Sequence, residues 1–303
     1  MKNFLKLLPF LVLLFLTLIY KKDIHNFIIE KIIFDKSNYT IVSNEYAINH
    51  KFLYVEETDN FIAENIDDVI SILYTGLNRG NDYFYFFCKY DECENDIDNL
   101  IDSKELLVLN DYIHPYNGFQ KLYISIDSIN KVSVTVDKTY NNDDIENLNQ
   151  KIDDITNKIL TDEMTLKEKI IKFHDYIIDT TTYDVEYVEN NLNNIYYPSH
   201  TAIGPIIYNK ALCGGYASIM AIFLNNLNVP NYRIASEFHV WNYVKLDNKW
   251  YHLDLTWDDP ITNTKEDIRL DKFLLIDTKT LETFATGYHD FDKTLYLEAN
   301  QTY

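Results

Sequence analysis

Between His239 and Thr256 the chain carries a pattern that leaves its backbone little freedom. His239, Trp241, Tyr243 and Lys245 alternate with Val240, Asn242, Val244 and Leu246, so the two sets face opposite sides of an extended strand. Asp247-Asn248 is a two-residue hairpin turn, and Lys249 to Thr256 returns as a second strand. A turn of that length pairs Leu246 with Lys249, Tyr243 with His252, Trp241 with Asp254 and His239 with Thr256. His239 and Asp254 then share a face as diagonal neighbours, roughly 7–8 Å apart at Cα, a span that an imidazole and a carboxylate can close to a hydrogen bond. A three-residue turn would flip the parity and separate them.

A third reactive side chain lies upstream. Cys213 stands in Lys210-Ala211-Leu212-Cys213-Gly214-Gly215-Tyr216, and an apolar helical stretch follows through Tyr216, Met220, Phe223 and Leu227 until Pro230 stops it. That places Cys213 at or near a helix N-terminus, where the partial positive charge favours a thiolate. The two glycines permit close backbone approach and leave room in front of the sulfur. Three of the seven Gly fall between Gly204 and Gly215, and Trp241, Trp250 and Trp257 are all the Trp in the chain. Taken singly, Cys213 reads as a buried structural cysteine, His239 as a strand histidine and Asp254 as a hairpin-end carboxylate. Taken together they supply a nucleophile, a base that returns its proton to a leaving group, and a carboxylate that fixes the imidazole tautomer. The Cys213 backbone N–H is the natural first donor to an oxyanion. A metal site built from His252, Asp254, Asp258 and Asp259 is the weaker reading, since no H-E-x-x-H is present; G-x-S-x-G and P-loop motifs are also absent.

The remaining sequence organises into segments. Residues 45–140 read as a small α+β module: Ile66 to Leu77 has helical spacing, Asp82 to Tyr90 is an aromatic strand-like run, and Lys121 to Lys138 alternates as a strand pair. Residues 141–164 form a polar helical linker with Ile145, Leu148, Ile152, Ile155 and Ile159 on one face. Thr165-Leu166-Lys167-Glu168 is a capping box that opens a helix ending near Thr180-Thr181-Thr182. It begins a catalytic domain over 165–303, within which Asp271 to Ile276 is the last predicted strand and the tail to Tyr303 has no assignment. Cys88 and Cys93 are either a local disulfide or two incidental thiols, which leaves Cys213 as the odd cysteine.

At the N-terminus, Lys2 and Lys6 precede an uncharged apolar run from Leu7 to Tyr20, closed by Lys21-Lys22. No small-residue cleavage site follows, so residues 1–22 read as an uncleaved signal-anchor, residues 23–44 as a tether, and the body as extracytoplasmic. A cleaved signal peptide with a poor site is the alternative. The 303 residues carry 47 acidic and 27 basic side chains, a formal net charge of −20. A field of that sign does not bind nucleic acid, because phosphate neutralisation needs clustered cations. The expected partners are a protein or peptide substrate and, through the N-terminal segment, a membrane.

Three blocks carry a family resemblance: Cys213-Gly214-Gly215-Tyr216-Ala217, then His239-Val240-Trp241-Asn242, then Trp250-Tyr251-His252-Leu253-Asp254-Leu255-Thr256-Trp257-Asp258-Asp259-Pro260. Their order and the gaps of 26 and 15 residues between Cys213, His239 and Asp254 resemble the core of the transglutaminase-like superfamily, a branch of the papain-like cysteine enzymes. His174-Asp175-Tyr176, Tyr183-Asp184 and the segment from Thr201 to Lys210 fit its bacterial branch. The resemblance covers about Thr165 to Pro260. It implies an α+β papain-like fold in which a helix bearing the cysteine packs on an antiparallel sheet bearing the histidine and aspartate. It implies Cys213 as nucleophile, His239 as general base and acid, and Asp254 as orienting acid, with no cofactor and no metal. Ala211-Leu212 replaces the family's usual Gly-Val before the cysteine, and Phe238 and Val240 flank the histidine; neither departure removes a catalytic group. The expected activity is peptide or amide hydrolysis through a thioester on Cys213. Protein crosslinking by a transglutaminase is the first alternative, and a non-catalytic surface scaffold the second.

Overall fold

Two four-stranded sheets take up the alternating segments, and helices with apolar faces cover them. The computed structural model describes residues 15–21, 23, 41–102, 105–190, 198–261, 268–284 and 287–303. The first sheet has the order β1-β2-β4-β3, with β1 (Ile62–Ala63), β2 (Tyr83–Cys88), β3 (Phe119–Ile126) and β4 (Lys131–Lys138). β1 runs parallel to β2 and the other pairs are antiparallel. Helix α1 (Ile66–Asn78) lies against it, its N-cap Asn65 accepting from the Asp68 amide at 3.0 Å. Cys88, at the end of β2, is disulfide-bonded to Cys93, the first residue of α2 (Cys93–Asp102).

Helix α3 (Asn142–Ile159) and helix α4 (Leu166–Thr180) both open with reciprocal capping boxes, Asn141 with Asp144 and Thr165 with Glu168. A two-residue parallel pair, β5 (Thr182–Tyr183) with β6 (Lys210–Ala211), leads into α5 (Cys213–Asn226). The second sheet follows: β7 (Asn231–Ala235), β8 (Val240–Leu246), β9 (Lys249–Leu253) and β10 (Leu274–Ile276), all antiparallel in the order β10-β9-β8-β7.

The β8–β9 register is the one expected, with Leu246 opposite Lys249 and Tyr243 opposite His252. Asp247 and Asn248 have φ of +48° and +64°, the left-handed pair of a type I′ turn whose twist matches the strands. The return strand is shorter than expected. It ends at Leu253, because Asp254 caps the short helix α6 (Leu255–Asp258), its Oδ1 accepting from the amides of Thr256 at 3.0 Å and Trp257 at 3.3 Å. A short carboxylate that bonds the backbone two and three residues ahead competes with the ladder and wins here. Trp241–Asp254 and His239–Thr256 are therefore not ladder pairs, and His239 lies one residue before β8 begins.

The second sheet is buried on both faces. Val244, Leu246, Tyr251 and Leu253 join α3, α4 and α5 in one apolar cluster. Tyr232, Ile234, Trp241 and Tyr243 join a second cluster that continues without a break into Phe84, Phe86, Val132 and Val134 of the first sheet. After β10 comes α7 (Thr278–Phe284), and the tail then returns across the second sheet, with the Thr278 amide bonded to Ala299 O and the Tyr303 amide to Leu275 O.

Residues 1–14, 22 and 24–40, where most of the signal-anchor and tether were expected, lie outside the described residues. Among the described residues no helix is long and apolar enough to cross a membrane.

The turn supplies a direct check. A β-branched side chain in the left-handed region costs about 1–2 kcal/mol, whereas glycine carries no such penalty. Asn248→Val is expected to lower the urea-unfolding free energy by about that amount, and Asn248→Gly to leave it equal or higher.

Candidate active site

Cys213 is the first residue of α5 and is half-buried. Its amide is among the first-turn donors that have no intrahelical acceptor. The helix is set in place by the loop that precedes it. The Leu212 amide donates to Ser199 O at 2.8 Å, and a Cβ on Gly215 would lie 2.5 Å from that same oxygen. A Cβ on Gly214 would lie 2.7 Å from His200 O. The close backbone approach expected at these glycines is made by the 199–200 segment, which lies directly on the helix start. The loop is tied in turn to Asp184, whose Oδ2 accepts from Ser199 Oγ and whose amide donates to Ala211 O at 2.9 Å. The Tyr183-Asp184 pair therefore backs the cysteine.

His239 and Asp254 meet at the end of the second sheet, where one enters β8 and the other leaves β9. His239 Nε2 donates to Asp254 Oδ2 at 2.6 Å, and both side chains are almost fully buried. Cys213 lies beside the same imidazole, close enough to raise its proton affinity, and lines the same cleft. With Nε2 committed to the carboxylate, Nδ1 is the nitrogen left for the sulfur. The three residues singled out in the sequence are therefore brought together.

A fourth residue joins them that the sequence reading did not find. His289 Nε2 donates to Asp254 Oδ2 at 2.7 Å, from a side chain that is 1% exposed. Its ring stacks on Phe273 and meets Trp241 and Trp257 edge-on. Trp241 also stacks with the His239 ring at a centroid distance of 5.7 Å, so the two tryptophans pack the imidazoles. His289 belongs to the tail left unassigned from sequence, and nothing in the local pattern of Tyr288-His289-Asp290 marks it; its one signal is being a histidine in a chain that has eight.

Burial alone would lower the proton affinity of the His239 imidazole. The charge and hydrogen bond of Asp254, with a further contribution from Cys213, outweigh it and push the His239 pKa up to about 10. Burial likewise opposes ionisation of Asp254, but His239 first and then His289 hold its carboxyl well below the usual carboxylate range.

The side chains of the metal reading go elsewhere. His252 Nδ1 accepts from Trp241 Nε1 at 3.0 Å and its Nε2 pairs with Thr278 Oγ1 at 3.1 Å. Asp258 pairs with His174 Nε2 at 3.3 Å and accepts from the Phe273 amide, while Asp259 accepts from Tyr216 Oη. His239, Asp254 and His289 do present three ligand atoms within 4.8 Å of one another. Their two N–H···O bonds of 2.6 and 2.7 Å account for that convergence.

In front of the sulfur lies a cleft of about 310 Å³ lined by Tyr183, Phe238, Trp257, Ile261 and Tyr288 along with Cys213 and His239. Phe238, Ile261 and Tyr288 are more than half exposed, so its rim is apolar and faces solvent.

Residues 153–255 match the family model described as the transglutaminase-like superfamily, about a third of the chain. The match contains Cys213, His239 and Asp254 and ends one residue beyond the aspartate. Among solved structures, one described as a TGase is 18% identical, covering 56% of this chain and 50% of its own, with a TM-score of 0.36. A Cytophaga hutchinsonii protein described as a candidate cysteine protease is 12% identical, covering 45% of this chain and 61% of its own, with a TM-score of 0.28. This chain thus spans half to about three-fifths of their length. No curated protein matches it.

The His239–Asp254 pair has a consequence for stability. The folded-state pKa of about 10 lies above the ordinary value of 6.5, so the folded protein binds the extra proton. The pair's contribution is complete below about pH 6.5 and is lost as pH rises towards about 10. Urea unfolding is expected to show stability falling across that window, by at most about 1.4 kcal/mol per pH unit from this group. A His239→Gln variant is expected to show a correspondingly flatter profile.

Proposed function

Residues 153–255 carry the core of the transglutaminase-like superfamily, and from that premise we propose that this protein is a cysteine-dependent acyl-transfer enzyme that hydrolyses peptide or amide bonds through a thioester on Cys213. One observation carries the reading. A single imidazole bonds a buried carboxylate through Nε2 at 2.6 Å and lines, together with Cys213, one solvent-facing cleft.

The chemistry follows from which nitrogen does what. Asp254 holds the proton on Nε2, so Nδ1 is the basic site. With the proton affinity of the ring raised, the thiol's proton resides on Nδ1, and the thiolate sulfur attacks the amide carbonyl carbon. The carbonyl oxygen becomes an anion beside the start of α5, where the Cys213 N–H and the helix dipole stabilise it. As the C–N bond breaks, the Nδ1 proton passes to the leaving nitrogen and a thioester remains. Water then gives its proton to Nδ1 and attacks the thioester, the acid departs, and the thiolate is restored beside the protonated ring. The half-buried sulfur sits in a cleft open to water, which favours hydrolysis over capture by an amine. The apolar rim offers contact to a peptide's uncharged side chains. A body outside the cytoplasm accords with the Cys88–Cys93 disulfide and with the apolar run from Leu7 to Tyr20.

With Cys88 and Cys93 bonded to each other, Cys213 is the one free thiol in the chain. Iodoacetamide is expected to alkylate it readily at about pH 6, and His239→Ala is expected to slow that reaction by about 10-fold or more. Equal, slow alkylation of both proteins would overturn the reading in favour of a scaffold. Release of product only into an added primary amine would replace hydrolysis by crosslinking.

A further inference from the structure

His289 lies 34 residues beyond the end of the family match, yet it bonds the same oxygen as His239. The Asp254 carboxylate has four acceptor positions and all four are filled. Oδ1 takes the amides of Thr256 and Trp257, and Oδ2 takes both histidines. We propose that His289 is a positioning residue of the site: its Nε2–H completes the cage around Asp254 and fixes the plane in which that carboxylate meets His239.

The need for such a residue arises in the reaction cycle, and this role rests on the acyl-transfer reading. During turnover the His239 ring gains and loses a proton, and its hold on Oδ2 strengthens and weakens with it. A carboxylate held at Oδ2 by His239 alone would have only the two amides on Oδ1 to resist turning about its Cβ–Cγ bond whenever that hold weakened. A turned Asp254 no longer selects the Nε2–H tautomer, and the base then points the wrong nitrogen at the sulfur. A second donor on Oδ2 that takes no part in the proton transfer keeps the carboxylate in place through the cycle.

The surroundings of His289 suit that task. Phe273 stacks on the ring at 5.8 Å, while Trp241 at 4.6 Å and Trp257 at 5.0 Å close two further sides. An imidazole boxed in this way has one orientation. The backbone is held as well, because Ser236 Oγ, in the turn that leads into His239, donates to Tyr288 O at 2.5 Å. The turn bearing one histidine therefore locates the segment bearing the other. Nδ1 of His289 is buried with no partner among the described residues. A ring present only to fill space would leave no polar atom unmatched; this one leaves Nδ1 unmatched while placing Nε2 on the carboxylate. The titratable groups nearest to it are Asp254, His239 and His252.

The test compares the full chain with three variants. His289→Gln carries an amide N–H near the position of Nε2, His289→Asn is too short to reach Oδ2, and His289→Phe keeps the ring without the donor. Near-ultraviolet circular dichroism checks that each is folded. The first readout is the rate of Cys213 alkylation by iodoacetamide against pH. In the Asn and Phe variants the rate at about pH 6 is expected to fall about 10- to 100-fold and to converge with wild type at alkaline pH, while Gln stays within about threefold. The second readout, nitrogen-15 spectra of labelled histidine, does not depend on the nucleophile. In spectra recorded above the His239 pKa of about 10, where the ring is neutral, His239 is expected to be Nε2–H in wild type and the Gln variant and to lose that uniform tautomer in the Asn and Phe variants.

Should Phe fail to fold, the Gln–Asn contrast decides. Wild-type behaviour in folded Asn or Phe protein overturns the proposal. So does a folded Gln variant as impaired as Asn, because the donor is then not what matters. Stoichiometric zinc in purified wild type that disappears from the Gln variant overturns it too, since His289 would then be a ligand. A wild type that alkylates slowly at every pH sinks the acyl-transfer reading instead, and the tautomer spectra alone then decide the role of His289.

Discussion

A fully buried carboxylate governs the geometry of this site. Asp254 is 1% exposed, and an anion taken so far from water is tolerated only when its lone pairs are matched by donors. It has four: two amides of the turn that it caps, and two imidazoles. Each donor is fixed by a different part of the chain. The amides come from α6, His239 from the start of β8, and His289 from the tail. The demand of one charge for hydrogen bonds thereby ties three segments to a single point, and the proton-accepting nitrogen of His239 is aimed as a result. The same carboxylate explains why the return strand stops at Leu253, since a side chain that caps a helix cannot also continue a ladder.

The sulfur is placed by a separate device. The N-terminus of α5 rests on the 199–200 backbone at distances that only glycine allows at positions 214 and 215, and that loop is pinned by Ser199 Oγ donating to buried Asp184. None of these contacts involves His239 or Asp254. The nucleophile and the His–Asp pair are thus oriented by separate contacts, and they meet because Asn242 of β8 holds α5 through Ala217 O. Upstream, His174 does a related job. Buried between Asp175 and Asp258, it steadies the end of α6, and Asp258 in turn accepts from the amide of Phe273, the residue whose ring stacks on His289. Residues that resemble a family motif but lie away from the sulfur act here as supports for the turn that Asp254 caps.

Much of this was legible in the sequence, for identifiable reasons. Strict alternation around Asp247-Asn248 specified the β8–β9 register, because side-chain parity and a two-residue turn admit only one pairing. The capping box at Thr165 marked a helix start to the residue, since that signal is local. Cys213 fell at a helix N-terminus because an apolar helical face begins just after it. What escaped was non-local or a contest between two local preferences. Asp254 could extend a strand or cap a turn, and nothing in the pattern says which wins. The Gly214-Gly215 pair announces a close approach without saying what approaches. His289 was beyond reach altogether: its partner lies 35 residues away, its neighbours have no periodicity, and only the return of the tail over the sheet brings it to Asp254.

That return can be traced to β8. Its two faces carry different loads of structure. On one, Asn242 Nδ2 donates to Ala217 O at 2.9 Å, holding the first turns of α5 and hence Cys213. On the other, Tyr243 Oη donates to Leu297 O, and Trp241 packs edge-on against His289, so this face receives the tail. His239 enters the strand one residue before it begins. A strand has a fixed rise of about 3.3 Å per residue and alternates its side chains without exception. Successive residues of one short segment therefore set the spacing between the nucleophile's helix, the base and the second histidine. An insertion anywhere in 239–243 would reverse the faces beyond it and break all three relations at once. The site is as rigid as β8 is regular.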